Sequence, residues 1–460
     1  MNKKWPLFLG CLISFFSVRA SDTLYLRLDS FLNLTLQHHP VAKIADVQLV
    51  KAQAMLLREK GGFDPYLSAG YDQKRYNGNR YYALSEQSLK IPIWPGMDAK
   101  VGFESNEGKY LNPENILPQG GLIQAGLSAS LLQGLITDAR RTAVQKARLG
   151  ISVSENQRIL ILNQLLSEAA VSYLNWNQSW QEVKLFLKAY EIAKERFAGV
   201  QGQYLLGDKP AIDTLEAFIQ LQSREASLNK AMLSFTNAGY ILRYFMWDES
   251  ATMIQWENIW IPSDAFPDIS VTQKTPDALS QPEIKEYLFK QQSLVYDEKL
   301  KREMLKPSLK VNYNFFNQPY APFAFHAEDY KWGASFQMPV LLRKARGELK
   351  WVRAQILEND WKLKAKQAEW ENKRLNVKNE IEVLSRQSSL YNNIMNDNLT
   401  LLMAEQNRFA AGESSLFVVN SRDQSYILSA IQYMETRLKL GYSIVKYYEL
   451  GAYWPGLAGN

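Results

Sequence analysis

Three histidines and one cysteine are nearly all that this 460-residue chain offers to metal binding or covalent catalysis. His38 and His39 are adjacent and His326 is remote, which is not a metal-ligand spacing. Cys11 lies in an apolar leader, so the mature chain is expected to lack thiol and disulfide chemistry. No Gly-rich phosphate loop or nucleophile motif is present. We therefore expect no enzyme and no cofactor. The polar residues that stand out instead lie in two tight turns, Gly207-Asp208-Lys209-Pro210 and Gly412-Glu413-Ser414-Ser415. Each turn closes one very long helical segment and opens another.

These segments belong to a chain that says roughly the same thing twice. His39-Pro40 is answered by Gln281-Pro282, and Pro65-Tyr66-Leu67 by Pro307-Ser308-Leu309, both about 242 residues apart. Farther on, Gly126 matches Gly333, Ala147 matches Ala354 and Gly207 matches Gly412, now about 205 to 207 apart. The drop places an insertion in the first copy, between Tyr71 and Gly126.

Each copy reads helix, strand, loop, strand, very long helix, Gly turn, helix. In the first, a helix is expected from Asp29 to Lys60. A strand with Leu67, Ala69 and Tyr71 on one face follows, then a second with Ile123, Ala125, Leu127, Ala129 and Leu131 on one face. In the second copy, Leu309, Val311, Tyr313 and Phe315, then Trp332, Ala334, Phe336 and Met338, repeat the alternation. No proline occurs from Thr137 to Gln203, where Ile159, Leu162, Leu166, Ala169, Tyr173, Trp176, Trp180, Val183, Leu187 and Tyr190 follow a 3,4 spacing. At 1.5 Å per residue such a helix is on the order of 100 Å long. Its counterpart is expected from Arg343 to Arg408. The return helices, to Met246 and to Leu450, together with the opening helices match the long ones in length, so two short helices stacked end to end would span each long partner.

Lys3, Lys4, the apolar run from Trp5 to Val18 and Val18-Arg19-Ala20 read as a signal peptide over 1–20; an alternative makes Cys11 a lipidated N-terminus. The expected organisation is then a first repeat over 21–248 with a long surface loop at 72–120, an irregular crossing segment at 249–276, a second repeat over 277–450 and a tail at 451–460. Net charge is +6 with acidic and basic residues interspersed, so no nucleic-acid partner is implied. No later segment is apolar enough for a membrane helix. Four strands, each apolar on one face, suit a transmembrane barrel or a half-buried sheet in a soluble protein; since four cannot close alone, a barrel would need several chains. Tyr66, Tyr76, Tyr81, Tyr82, Tyr320, Phe323, Phe325 and Tyr330 would serve as interfacial girdles or as loop packing.

The paired helix openings at Pro40 and Pro282, the strand starts at Pro65 and Pro307, the passages Leu131-Leu132-Gln133-Gly134 and Met338-Pro339-Val340-Leu341-Leu342-Arg343, and the turns Gly207 to Ala217 and Phe409 to Ser421 occur in the same order twice. Over essentially its mature length the chain resembles the TolC-like outer-membrane efflux proteins. The resemblance implies an α+β membrane protein with four transmembrane strands per chain. As a homotrimer it would build a twelve-stranded barrel in outer-membrane lipid and a helical tunnel across the periplasm. It implies a passive conduit of a tripartite efflux or type I secretion system, docked on a periplasmic adaptor and an inner-membrane transporter of RND, ABC or MFS type. The alternative is a secreted coiled-coil adaptor or structural protein without a pore.

The resemblance also places the two turns at the periplasmic tip. Gly207, Asp208, Asp213, Gly412 and Glu413 become tip candidates, Asp213 standing where the family commonly has a gating aspartate. Inward carboxylates that some members carry six and nine residues beyond the second glycine are replaced by Val418 and Ser421. With Phe409, Leu416 and Phe417, Val418 suggests an apolar constriction, the alternative being ordinary helix packing. Arg140, Arg141, Lys146 and Arg148, with Arg343, Lys344, Arg346 and Lys350, would meet lipid headgroups or simply solvate the helix starts.

Overall fold

A computed structural model describes residues 24–454 except 94–95, 256–259, 264–265, 275–276 and 321–325. The expected signal peptide with Cys11, the expected girdle residues Phe323 and Phe325, and most of the expected tail lie outside the described residues.

The first half runs β1 (Leu24–Leu26), α1 (Leu28–His38), α2 (Pro40–Lys60), β2 (Tyr66–Tyr76), β3 (Asn79–Ile93), β4 (Met97–Glu107), β5 (Leu122–Ser130), α3 (Ala139–Leu205) and α4 (Ala211–Arg243). The second runs β6 (Trp260–Pro262), α5 (Pro282–Glu303), β7 (Ser308–Asn317), β8 (Tyr330–Gln337), α6 (Arg343–Ala410) and α7 (Leu416–Gly451). Both long helices and both return helices stand where the sequence led us to expect them. The opening helix does not stay whole. Pro40 bars His39 from the helical region, and His39 sits at φ −64°, ψ 134°, separating α1 from α2.

The chain divides into two compact units. One comprises residues up to His39, Glu168–Asp268 and Val383–Tyr442; the other comprises Pro40–Ser167, Ile269–Glu382 and Ser443 onward. The first unit is helical apart from the two-stranded parallel β1–β6 pair, so the segment expected to be irregular at 249–276 contributes a strand. Its core is built on α3. Tyr173 is fully buried and donates its hydroxyl to the Leu26 carbonyl at 2.7 Å, and Trp176 stacks on Phe235 at 5.8 Å. The 3,4 stripe holds as far as Val183. Beyond it Leu187, expected in the stripe, is exposed, because α3 now packs on two sides: Val183 against Leu228 and Ala231 of α4, Leu185 and Ala189 against Ile427 and Ala430 of α7. A helix flanked by two partners buries two stripes rather than one.

The second unit holds an open antiparallel sheet in the order β2-β3-β4-β5-β7-β8. Six strands stand where the sequence suggested four, because the presumed surface loop at 72–120 contains the β3–β4 hairpin. Tyr81 and Tyr82 are strand residues, and Tyr81 packs on Tyr76 and Tyr110. Trp94 and Pro95 are outside the described residues. Gly96, expected within that surface loop, lies where β5 passes toward α3: its carbonyl accepts from Ser130 N–H at 3.3 Å. Gly96 has φ +70°, and a Cβ there would meet the Gly134 carbonyl at 2.9 Å.

Within this unit, Asn156 donates to the Pro282 carbonyl at 2.8 Å and Lys146 pairs with Asp297 at 2.7 Å, tying α3 to α5. Trp370 of α6 donates to the Leu450 carbonyl and Asn163 of α3 to the Glu449 carbonyl, which seats the end of α7 within the same unit. Arg141 is no solvated helix start. It is buried, and its guanidinium gathers the carbonyls of Gly134, Leu135 and Ile136 and the carboxylate of Asp138, closing the strand-to-helix passage.

Candidate functional site

The two glycine turns share one geometry. Gly207 and Gly412 have φ +84° and +78° with open space around a built Cβ, so glycine is there for its backbone. Asp208 N–H bonds the Gln203 carbonyl and Gly207 N–H that of Tyr204; Glu413 N–H bonds Arg408 and Gly412 N–H bonds Phe409. Each is a Schellman closure of a long helix. Pro210 then precedes α4, and Ser415 precedes α7, its hydroxyl accepting from Val418 N–H at 3.4 Å.

Together the turns form the end of one helical unit. Val200 of α3, Ala217 of α4 and Leu416 of α7 are buried against one another, with Phe197 and Phe409 packed on them. Lys209 lies over the Phe409 ring at 5.2 Å, linking one turn to the other. Leu416 is therefore spent on the core and is withdrawn from the expected apolar constriction, and Phe409 is half committed to it. Phe417, by contrast, is 72% exposed. Asp208, Glu413 and Ser421 are exposed; Asp213 and Val418 are half-buried.

Sequence reasoning missed the polar layer among the same helices. Arg224 of α4 and Asp423 of α7 form a buried ion pair at 2.8 Å, and Arg224 also reaches Gln424. Nearby, Arg196 donates to Asn420 at 3.0 Å and Asn420 donates to Glu216 at 2.8 Å. Burial pulls the Arg196 guanidinium below its ordinary value, an effect that Asp423 opposes and Arg224 reinforces. The signal was available: Arg224 follows the buried spacing of Ala217, Leu228 and Ala231, and Asp423 that of Leu416, Val419, Ile427 and Ala430.

His39 is a core residue. It packs against Tyr244, Phe245 and Trp247, and burial lowers its pKa despite the opposing influence of the Tyr244 backbone and Glu168. Among the described residues no three metal-capable side chains converge.

The sheet offers a second candidate surface. The row Leu67, Leu89, Val101, Ala125, Phe315 and Tyr330 crosses all six strands in register. The adjacent row, on the other face, is Tyr66, Lys90, Lys100, Gly126, Asn314 and Lys331. Exposure runs opposite to a soluble sheet: Leu67 is 77%, Trp332 63% and Phe336 66% exposed, whereas Ser88 and Gln124 are each 8% exposed. Large apolar side chains thus stand open on one face, while polar Ser88 and Gln124 are buried on the other.

Solved structures share this fold. The CmeC outer membrane channel of Campylobacter jejuni aligns with TM-score 0.63 at 14% identity, over 92% of this chain and 85% of that one. The fold is that of the TolC-like outer-membrane channels. The open-state MtrE outer membrane channel of Neisseria gonorrhoeae shares this TolC-like fold at TM-score 0.65 and 14% identity, over 93% of this chain and 89% of that one. The outer membrane protein VceC of Vibrio cholerae does so at 0.63 and 13%, over 92% and 96%. No family model and no curated protein matches the sequence.

Proposed function

We propose that this chain is one protomer of a passive outer-membrane export channel. Three copies pair edge strand β8 of one with β2 of the next, closing a barrel with its apolar face in lipid and its polar face around water. The long helices extend the conduit into the periplasm. The observation that carries this is the inverted sheet, with Leu67, Leu89, Val101, Leu127, Trp332 and Phe336 on one uncovered face. Water would tolerate such a patch poorly, which disfavours a pore-free secreted protein. Lipid covers it without further structure. The fold shared with outer membrane channels supports the same reading.

In this scheme the Gly207 and Gly412 turns form the periplasmic tip. Asp208 and Glu413 meet the adaptor there, and Phe417, Val418 and Ser421, with Asp213 opposite, set the character of the constriction. The inner-membrane transporter, of RND, ABC or MFS type, supplies the energy and chooses among drug, metal or polypeptide cargo. Cell fractionation tests the reading. Recovery of a heat-modifiable trimer from the outer membrane is expected, and a monomer in the soluble periplasmic fraction would refute it.

A further inference from the structure

We infer that the assembled channel has an eighteen-stranded barrel, because the β3–β4 hairpin is a full member of the wall rather than a surface appendage. The inference rests on the trimeric channel proposed above. It departs from the four strands per chain and twelve per trimer implied by the resemblance to TolC-like proteins.

Three observations place the hairpin in the wall. First, it separates the strands that would otherwise be neighbours: β2 pairs with β3 and β4 with β5, with no β2–β5 pairing. The pairings are long, Tyr66 to Tyr76 along one seam and Ile93 to Ala83 along the next. Secondly, the hairpin keeps the facing of its neighbours. Leu89, Ile91 and Ile93 of β3, and Met97, Ala99, Val101 and Phe103 of β4, share the face of Leu67 and Leu127. Glu86, Ser88, Lys90, Asp98, Lys100 and Glu104 share the other, where Lys100 meets Glu86 at 2.8 Å, Lys90 meets Asp98 at 3.1 Å and Glu104 accepts from Gln124 at 2.7 Å. A flap above the membrane has no reason to hold one continuous apolar row at its neighbours' height. Thirdly, the hairpin crosses the whole sheet. Asn77 and Gly78, at φ 48° and 73°, turn the chain at one end, and Gly96 turns it back at the other, beside Ser130 and Gly134.

The topology also permits closure. All five pairings are antiparallel, so β8 runs opposite to β2 and can pair antiparallel with the β2 of the next protomer. At the usual strand spacing and tilt, eighteen strands enclose a barrel roughly 36 Å across between backbones, against roughly 24 Å for twelve. The outer mouth is then of porin width, and the narrow point of the conduit lies elsewhere.

Cysteine variants of the full-length trimer test the placement. An environment-sensitive fluorophore at Val101→Cys on β4 is compared, in vesicles carrying nitroxide lipids, with one at Leu127→Cys on β5. In parallel, the double variant Ser68→Cys/Ser88→Cys is set against Ser68→Cys/Gln124→Cys. Ser68 and Ser88 face each other with hydroxyls 2.9 Å apart, whereas two strands separate Ser68 from Gln124. The wall placement predicts equal lipid quenching at positions 101 and 127, and a disulfide within one chain for the first pair only. Quenching at 127 alone, with a disulfide between 68 and 124, would overturn the eighteen-stranded barrel and leave a twelve-stranded channel standing. Quenching at neither would overturn the channel itself. A trimer that quenches at both positions yet cross-links 68 to 124 would also overturn the strand order.

Discussion

Arg224 and Asp423 meet at 2.8 Å with both side chains almost out of solvent, joining α4 to α7 a few turns beyond the paired glycine turns. Leaving either charge without its partner at this depth costs about 3–5 kcal/mol. Asp423→Ala is therefore expected to lower the stability of the helical unit markedly. The double variant Arg224→Met/Asp423→Leu should recover most of the loss, since an apolar pair of similar volume avoids the desolvation of both ions. Thermal melting of the detergent-solubilised protein separates the cases: additive losses in the double variant would show that the pair is not coupled.

His39 gives the first unit a defined acid sensitivity. Burial lowers its pKa in the folded chain, so between the ordinary histidine value of about 6.5 and the lower folded value the unfolded chain binds the extra proton. Stability is full above about pH 6.5 and falls as the pH drops below it. His39→Phe, which keeps an aromatic ring against Phe245 and Trp247, is expected to flatten the dependence of melting temperature on pH between about 6.5 and 5. An unchanged slope would exclude His39 as its source.

Gly207 and Gly412 sit at positive φ with nothing near a built Cβ, so substitution meets a backbone penalty and no clash. Alanine at either position is expected to cost about 1–2 kcal/mol, and asparagine less. Melting curves of the four single variants check the order. Equal effects of alanine and asparagine would mean that the αL geometry is not what the glycines supply.

Local periodicity in the sequence carried most of the helical fold. Long proline-free heptads and the punctuation Gly207 and Gly412 located α3, α4, α6 and α7 to within about three residues, since such helices depend on local periodicity. The sheet was half legible. Leu67 to Tyr71 and Ile123 to Ala129 alternate cleanly, but Ser85 and Gln87 interrupt the apolar face of β3, and the offset between copies made 72–120 look like an insertion without structure. Asn77-Gly78, a strong two-residue hairpin signal, and the alternation Met97, Ala99, Val101, Phe103 would have revealed both strands. The expected apolar constriction lost Leu416 because its heptad position points into the core shared with Val200 and Ala217. The Arg224–Asp423 pair escaped notice because its partners are remote in sequence and meet only through tertiary packing.

In the proposed channel, Val418 and Ser421 would stand where an inward ring of carboxylates would otherwise concentrate cations. Without that ring, single-channel conductance is expected to respond weakly to millimolar divalent cations at neutral pH. Val418→Asp/Ser421→Asp is expected to introduce block from the side facing these residues. Strong block of the unmodified channel would contradict an apolar constriction.

The inverted sheet is proposed to be the wall of a water-filled pore, and planar-bilayer recording of the purified trimer tests that most directly. Uniform stepwise increases in current on insertion are predicted, as three inverted sheets closing on one another would produce. A trimer that is stably folded in detergent and leaves the bilayer silent would contradict it.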